Sequence, residues 1–130
     1  MSLRLLVTGG CGFVGGALCR ALAAAGHELV VYDDLSSGDP AVLPPGTTLV
    51  EGDICDSARL ARAMEGAAGI FHLAAVSSVE ACVNRRAETS RTNLHGTVTV
   101  LECSGARPVV YASSAAIYGD QRHLPVAENA

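Results

Sequence analysis

The chain has 130 residues, 9 Lys+Arg against 13 Asp+Glu for a net charge of −4, and 49% hydrophobic against 17% charged residues. That length holds one domain with a core large enough for a sheet, and an apolar content this high excludes a disordered chain. Scattered basic residues in an acidic chain argue against a nucleic-acid surface, and no apolar run approaches the roughly 18 residues of a membrane span.

Leu3 to Val7 is a short apolar run ending at Thr8-Gly9-Gly10, the pattern of a buried strand stopped by a turn. The period then changes. Val14, Ala17, Leu18, Ala21, Leu22 and Ala25 follow helical spacing and predict one buried stripe, with Gly26 as the stop. Leu29 to Tyr32 predicts a second strand ending at Asp33-Asp34, and a Ser-, Gly- and Pro-rich loop runs from Ser36 to Gly46. Thr48 to Val50 predicts a third strand. Asp56 is a candidate N-cap for a helix carrying Leu60 and Met64 and closed by Gly66. Ile70 to Leu73 predicts a fourth strand; Leu94, Val98 and Leu101 predict the buried side of a helix stopped near Gly105. Val109 to Ala112 predicts a fifth strand ending at Ser113-Ser114, and the stretch from Tyr118 onward reads as loop. Alternating strands and helices imply an α/β, doubly wound parallel sheet of the Rossmann type, in order 3-2-1-4-5.

Five cysteines (Cys11, Cys19, Cys55, Cys82, Cys103) are odd in number and form no C-x-x-C pair. The pattern points away from a disulfide framework or a zinc site. It is expected of reduced, mostly buried thiols in a cytoplasmic protein. The start of the chain has no separate basic region, apolar segment and cleavage site, so no secretory signal is expected.

Thr8-Gly9-Gly10-Cys11-Gly12-Phe13-Val14-Gly15 stands between the first strand and the first helix. Glycine lets the chain turn sharply and lets a diphosphate reach main-chain N–H groups; it also lets helix and strand pack closely. The positive end of the helix dipole favours the anion. Asp33 lies 18 residues beyond Gly15 (33 − 15), where a carboxylate accepts from both hydroxyls of an adenosine ribose. It would repel a 2′-phosphate, and no Arg or Lys lies between Tyr32 and Pro45, so NAD is expected over NADP. Asp34 reads as a solvated loop acid. Asp53 could accept from an adenine amino group while Ile54 lies against the ring.

Together these segments resemble the extended short-chain dehydrogenase/reductase family, in particular its NAD-dependent sugar-nucleotide epimerases. The matching residues are Thr8 to Gly15, Asp33 to Gly38, Gly52-Asp53-Ile54, His72-Leu73-Ala74-Ala75, Asn93-Leu94-His95-Gly96-Thr97 and Ser113 to Gly119, in family order. The resemblance implies that Gly9, Gly12, Phe13, Val14 and Gly15 lie at the diphosphate. It places Asp33, Asp34, Leu35, Ser36, Ser37 and Gly38 around the adenosine ribose, and Asp53 with Ile54 at adenine. Leu73, Ala74 and Ala75 then line the nicotinamide side on a loop that Asn93 supports, and Ser78 with Val79 matches a loop near nicotinamide and sugar. His72, inside a strand, reads as structural.

In the family, the residue matching Ser114 hydrogen-bonds the reacting hydroxyl of a sugar nucleotide, here expected to be a UDP-sugar. A Tyr in a Tyr-x-x-x-Lys segment takes the proton, and hydride passes to NAD and returns to the other face of the keto sugar. This chain has no Tyr-x-x-x-Lys and no lysine at all; Arg122 holds the fourth place after Tyr118, and Leu124 to Glu128 resembles the stretch before that segment. The expectation is an N-terminal, cofactor-binding part of a longer enzyme, inactive alone, with strand five left as an apolar edge and a substrate domain absent. Ala115-Ala116 stands where a sugar-nucleotide dehydratase carries an acidic pair, which counts against dehydration. A reductase of the same family and a non-catalytic NAD-binding module stay open. The family often forms homodimers through the helix around Asn93 to Cys103, which implies a homodimer for a full-length protein.

Overall fold

In the computed structural model, residues 1–121 and 125–128 are described. Arg122 and Leu124, which bear on the comparison with the Tyr-x-x-x-Lys region, lie outside them. The strands are β1 (Arg4–Thr8), β2 (Glu28–Asp33), β3 (Thr48–Glu51), β4 (Gly69–His72) and β5 (Val109–Tyr111). They pair in parallel in the order β3-β2-β1-β4-β5, as expected from the alternation in the sequence. Leu3, Leu73 and Ala112 fall just outside the strands predicted to contain them.

Side chains of a strand alternate between faces, and both faces here are covered. Leu6, Val30, Tyr32 and Ile70 pack with Leu60, Met64 and Val100 on one side. Leu5, Val7, Leu29 and Val31 pack with Cys11 and Cys19 on the other. The helices that cover the sheet are α1 (Phe13–Ala24), α2 (Ser57–Ala63) and α5 (Thr97–Ser104). Two short helices, α3 (Val79–Asn84) and α4 (Arg86–Ser90), follow β4, and a π-helical segment Arg91–Gly96 joins α4 to α5. The Asp56 side chain caps α2 by accepting from the Arg59 N–H at 3.0 Å, as its sequence position predicts. Gly26 and Gly66 follow their helices with φ of +83° and +73°.

Two helix faces differ from the periodicity reading. In α1 the buried residues are Gly15, Gly16 and Cys19, with Leu18, Leu22 and Ala23 packed beside them. Val14, Ala17, Ala21 and Ala25 face outward. Small residues win the inner face because α1 lies directly against the main chain of the preceding turn. In α5 and the π segment, Gly96, Thr99, Val100 and Ser104 are buried, whereas Leu94, Val98 and Leu101 are 69%, 43% and 46% exposed. The cause is again close approach: a Cβ at Gly96 would stand 2.5 Å from Ile54 Cδ1.

The cysteines also differ in part from expectation. All five are free, but only Cys11 and Cys19 are buried; Cys55, Cys82 and Cys103 are half-buried. Val110 and Tyr111 of β5 are 59% and 58% exposed, the apolar edge expected for strand five. Among the described residues, no helix is long and apolar enough to cross a membrane.

Candidate functional site

The turn between β1 and α1 has no room for a side chain at Gly9 or Gly15. Gly9 has φ +70°, and a Cβ there would stand 2.6 Å from the Ala74 nitrogen. A Cβ on Gly15 would overlap the Gly9 carbonyl oxygen and come within 2.8 Å of Gly10 Cα. The turn is therefore pressed between α1 and the loop that follows β4.

α1 begins without a cap. Gly12 offers no side chain to its first turn, so the N–H groups of Phe13 and Val14 have no intrahelical acceptor. By contrast, α2 and α3 are both capped by side chains, Asp56 and Ser78. Unpaired N–H groups and the dipole at this end of α1 make a place for an anion, and the glycines leave room for it to approach. Phe13 and Val14 are 96% and 62% exposed beside that opening.

Asp33 ends β2 and is 7% exposed. Its Oδ2 accepts from the Cys11 N–H and its Oδ1 from the Leu35 N–H, each at 2.9 Å. The carboxylate thus ties the glycine turn to the loop after β2, and each oxygen keeps a second lone pair for a ligand. Leu35 holds φ +57°, a left-handed backbone uncommon for a residue with a Cβ. The Asp39 N–H donates to the Cys11 carbonyl at 3.0 Å, and a Cβ on Gly38 would stand 2.6 Å from the Cys11 Cβ. Asp33 to Gly38 is thereby held against the glycine turn. Asp34 is exposed and bonds the N–H and hydroxyl of Ser36, in keeping with its reading as a local loop acid. Burial, then the Asp33 carboxylate, pushes the Cys11 thiol up to about 11, so no thiolate competes with an anion here.

Asp53 follows β3. Its Oδ1 accepts from the Cys55 N–H at 2.8 Å, and its Oδ2 pairs with the Arg91 guanidinium at 2.6 Å. Burial opposes its ionisation, but the Cys55 N–H and Arg91 together hold it below the usual carboxylate range. The expectation that the Ile54 side chain lies against an adenine ring is corrected. Ile54 is 4% exposed and packed in the core beneath Gly96.

Beyond the carboxyl ends of β4 and β5 lies an open cavity of about 340 Å³. It brings together His72, Leu73, Ala74, Ala75, Asn93 and Ser114 from three segments of the chain. Asn93 clamps the loop after β4: its Oδ1 accepts from the Val76 N–H at 2.8 Å and its Nδ2 donates to the Val76 carbonyl at 3.0 Å. Ser114 is exposed at the mouth, and its hydroxyl accepts from the Ala116 N–H at 3.2 Å. His72 is 5% exposed and bonded at both ring nitrogens, which fits a structural role; burial lowers its pKa below the ordinary histidine value.

Ser78 and Val79 do not line this cavity. The segment expected to be a loop begins α3 instead: Ser78 caps it by accepting from the Ala81 N–H at 3.2 Å, and Val79 is its first residue, 78% exposed. Sequence reasoning missed Arg91, which no spacing rule marks, and the hydroxyls of Thr8 and Thr97 on either side of His72. A Thr directly before the glycines and another in Asn93-Leu94-His95-Gly96-Thr97 were the available signal.

A diphosphate at an uncapped helix start, with an acid beside it for a ribose, is the chemistry this arrangement fits. Residues 5–130 match the NAD dependent epimerase/dehydratase family. The chain belongs to that family. It is 37% identical to a UDP-glucose 4-epimerase of Streptomyces lividans across all of this chain and 41% of the relative. Among solved structures, the UDP-glucose 4-epimerase of Brucella ovis in complex with NAD superposes with a TM-score of 0.90 at 36% identity, over 98% of this chain and 40% of that one. The UDP-glucose-4-epimerase of Stenotrophomonas maltophila, with bound NAD and formylated UDP-arabinopyranose, gives 0.92 at 32% identity over 98% and 42%. The chain thus spans about two fifths of the length of these members of the epimerase/dehydratase family.

Proposed function

We propose that this chain is the NAD-binding part of a UDP-sugar 4-epimerase. The observation that carries the reading is the junction of an uncapped α1 with Asp33, whose carboxylate is anchored to the Cys11 N–H inside the glycine turn. Phe13 and Val14 would offer their N–H groups to the diphosphate, Gly9, Gly12 and Gly15 the clearance, and Asp33 its free lone pairs to the ribose hydroxyls. Asp34, Leu35, Ser36, Ser37 and Gly38 would border that ribose, and Asp53 with the Ile54 main chain would meet adenine. NAD, when bound, supplies a hydride acceptor that can return the hydride.

Ser114 would hold the sugar hydroxyl that is oxidised. Leu73, Ala74 and Ala75, kept in place by Asn93, would set the nicotinamide side of the cavity, with Ser78 and Val79 farther out towards the sugar. We further propose that these 130 residues alone do not turn over substrate, because no Tyr-x-x-x-Lys is among them to take the hydroxyl proton. Ala115 and Ala116 carry no acid or base, which favours epimerisation over dehydration. The outward stripe of Leu94, Val98 and Leu101 supports a homodimer through this helix, and five free cysteines support a cytoplasmic location.

The test uses the whole protein with NAD and UDP-glucose, following epimer formation by chromatography. Ser114→Ala is expected to slow turnover about 100-fold, as loss of one hydrogen bond to a reacting oxygen does, with NAD affinity nearly intact. Absence of epimer in the wild-type reaction refutes the activity, and an unchanged rate in the variant removes Ser114 from it.

A further inference from the structure

Beneath the loop after β4 runs a buried chain of hydrogen bonds whose proton directions follow from counting donors. The Thr97 hydroxyl donates to the Asn93 carbonyl at 2.7 Å, and a carbonyl has no proton to give back. With its proton spent, Thr97 Oγ1 can meet His72 Nε2, 2.9 Å away, only as an acceptor. Nε2 therefore carries a hydrogen.

The other end is fixed independently. The Leu73 and Ala74 N–H groups both donate to Thr8 Oγ1 at 3.3 Å, and the Leu73 N–H is shared with the Thr8 carbonyl at 3.1 Å. Both lone pairs of that hydroxyl are filled, so its own proton points at His72 Nδ1, 2.7 Å away. Nδ1 is therefore bare. The two ends demand the same neutral tautomer, with the hydrogen on Nε2.

We infer that His72 is a positioning residue: in its Nε2–H tautomer it locks α5, through Thr97, to the residue 73–76 loop that floors the cavity, and so sets the nicotinamide side of the dinucleotide site. The functional half of this rests on the NAD reading above. The lock is continuous with the Asn93 clamp, since the Asn93 carbonyl closes the chain while its side chain holds Val76. The opposite tautomer would set two lone pairs face to face at Thr97 and two hydrogens face to face at Thr8, leaving the Thr8 hydroxyl proton without an acceptor. A buried donor stranded in this way forces one of the loop amides to give up its bond.

Thr97→Val keeps the side chain's shape and removes the acceptor, whereas Thr97→Ser keeps the acceptor. In the whole protein with ¹⁵N-labelled histidine, the His72 ring is expected to show a protonated Nε2 and a bare Nδ1. Amide hydrogen exchange at Leu73 and Ala74 is expected to quicken about tenfold in Thr97→Val and to return close to wild type in Thr97→Ser, the scale of one lost hydrogen bond. NAD affinity is expected to fall about tenfold in the valine variant alone. A wild-type ring protonated on Nδ1, or exchange unaltered by Thr97→Val, overturns the lock. Faster exchange with unchanged NAD affinity overturns its role at the cofactor site. A wild-type protein that binds no NAD defeats the dinucleotide reading and that role together, while the ring spectrum and the exchange rates still judge the lock. If Thr97→Val does not fold, the ring spectrum of the wild type decides alone.

Discussion

Gly15→Ala is expected to abolish NAD binding, with affinity lowered by about a hundredfold or more, which corresponds to about 3 kcal/mol. The added methyl would overlap the Gly9 carbonyl oxygen and crowd Gly10 Cα, both main-chain atoms that have no rotamer to escape into. α1 must then lift from the turn, and its first-turn N–H groups move with it, away from the position an anion would occupy. The same forced shift is expected to cost about 1–3 kcal/mol of folding stability. Gly26→Ala separates the two effects. Gly26 has φ +83° but nothing within 4 Å of an added Cβ, so strain is its sole penalty, about 1 kcal/mol, and NAD affinity should stay within about twofold. Calorimetric titration of both variants, with urea denaturation alongside, checks the pair. Equal NAD affinities in Gly15→Ala and the wild type would remove α1 from the site.

Asp33→Ala is expected to weaken NAD binding about 30- to 100-fold, against no more than about threefold for Asp34→Ala. The asymmetry comes from burial and partners. Asp33 holds the Cys11 and Leu35 N–H groups from a position 7% exposed, so its removal strands two donors as well as taking away the ribose acceptor. Asp34 bonds within its own exposed turn to Ser36. Asp33→Asn retains the shape but turns one acceptor oxygen into a donor facing an N–H, and should resemble the alanine variant. Matched losses for Asp33→Ala and Asp34→Ala in the same titration would refute the assignment of Asp33.

The sheet was legible because its evidence is local. Leu5 to Val7, Leu29 to Tyr32 and Ile70 with Phe71 are apolar at successive positions, and each strand ends one residue beyond its run, at Thr8, Asp33 and His72. The glycine turn was legible in part for the same reason: Gly15 is required by contacts with Gly9 and Gly10 in the same short stretch, whereas Gly9 is pressed by Ala74 from the loop after β4. What periodicity misplaced are the faces of α1 and α5. There the inner surface is chosen by how closely the helix approaches its neighbours, and glycine, threonine and serine take much of it, beside Cys19 and Val100. Larger side chains such as Val14, Leu94 and Leu101 are left outside, at the start of α1 or on the outward stripe. A count of apolar residues at helical spacing has no means of seeing that choice.

α3 went unseen because six residues give too little periodicity to stand out, although Ser78 and Glu80 mark its start. The Arg91–Asp53 pair and the Thr8–His72–Thr97 chain join residues 38, 64 and 25 positions apart, so only the folded chain displays them. Ile54 shows the converse: it was placed at adenine by its neighbours in sequence, and its side chain proves to belong to the core.

The central claim is that the start of α1 grips a diphosphate while Asp33 takes the adjoining ribose. A crystal structure of the protein grown with NAD tests it most directly. The account predicts phosphate oxygens within hydrogen-bond distance of the Phe13 and Val14 nitrogens, and both ribose hydroxyls on the Asp33 carboxylate. A dinucleotide bound elsewhere, or one whose ribose lies away from Asp33, would contradict it.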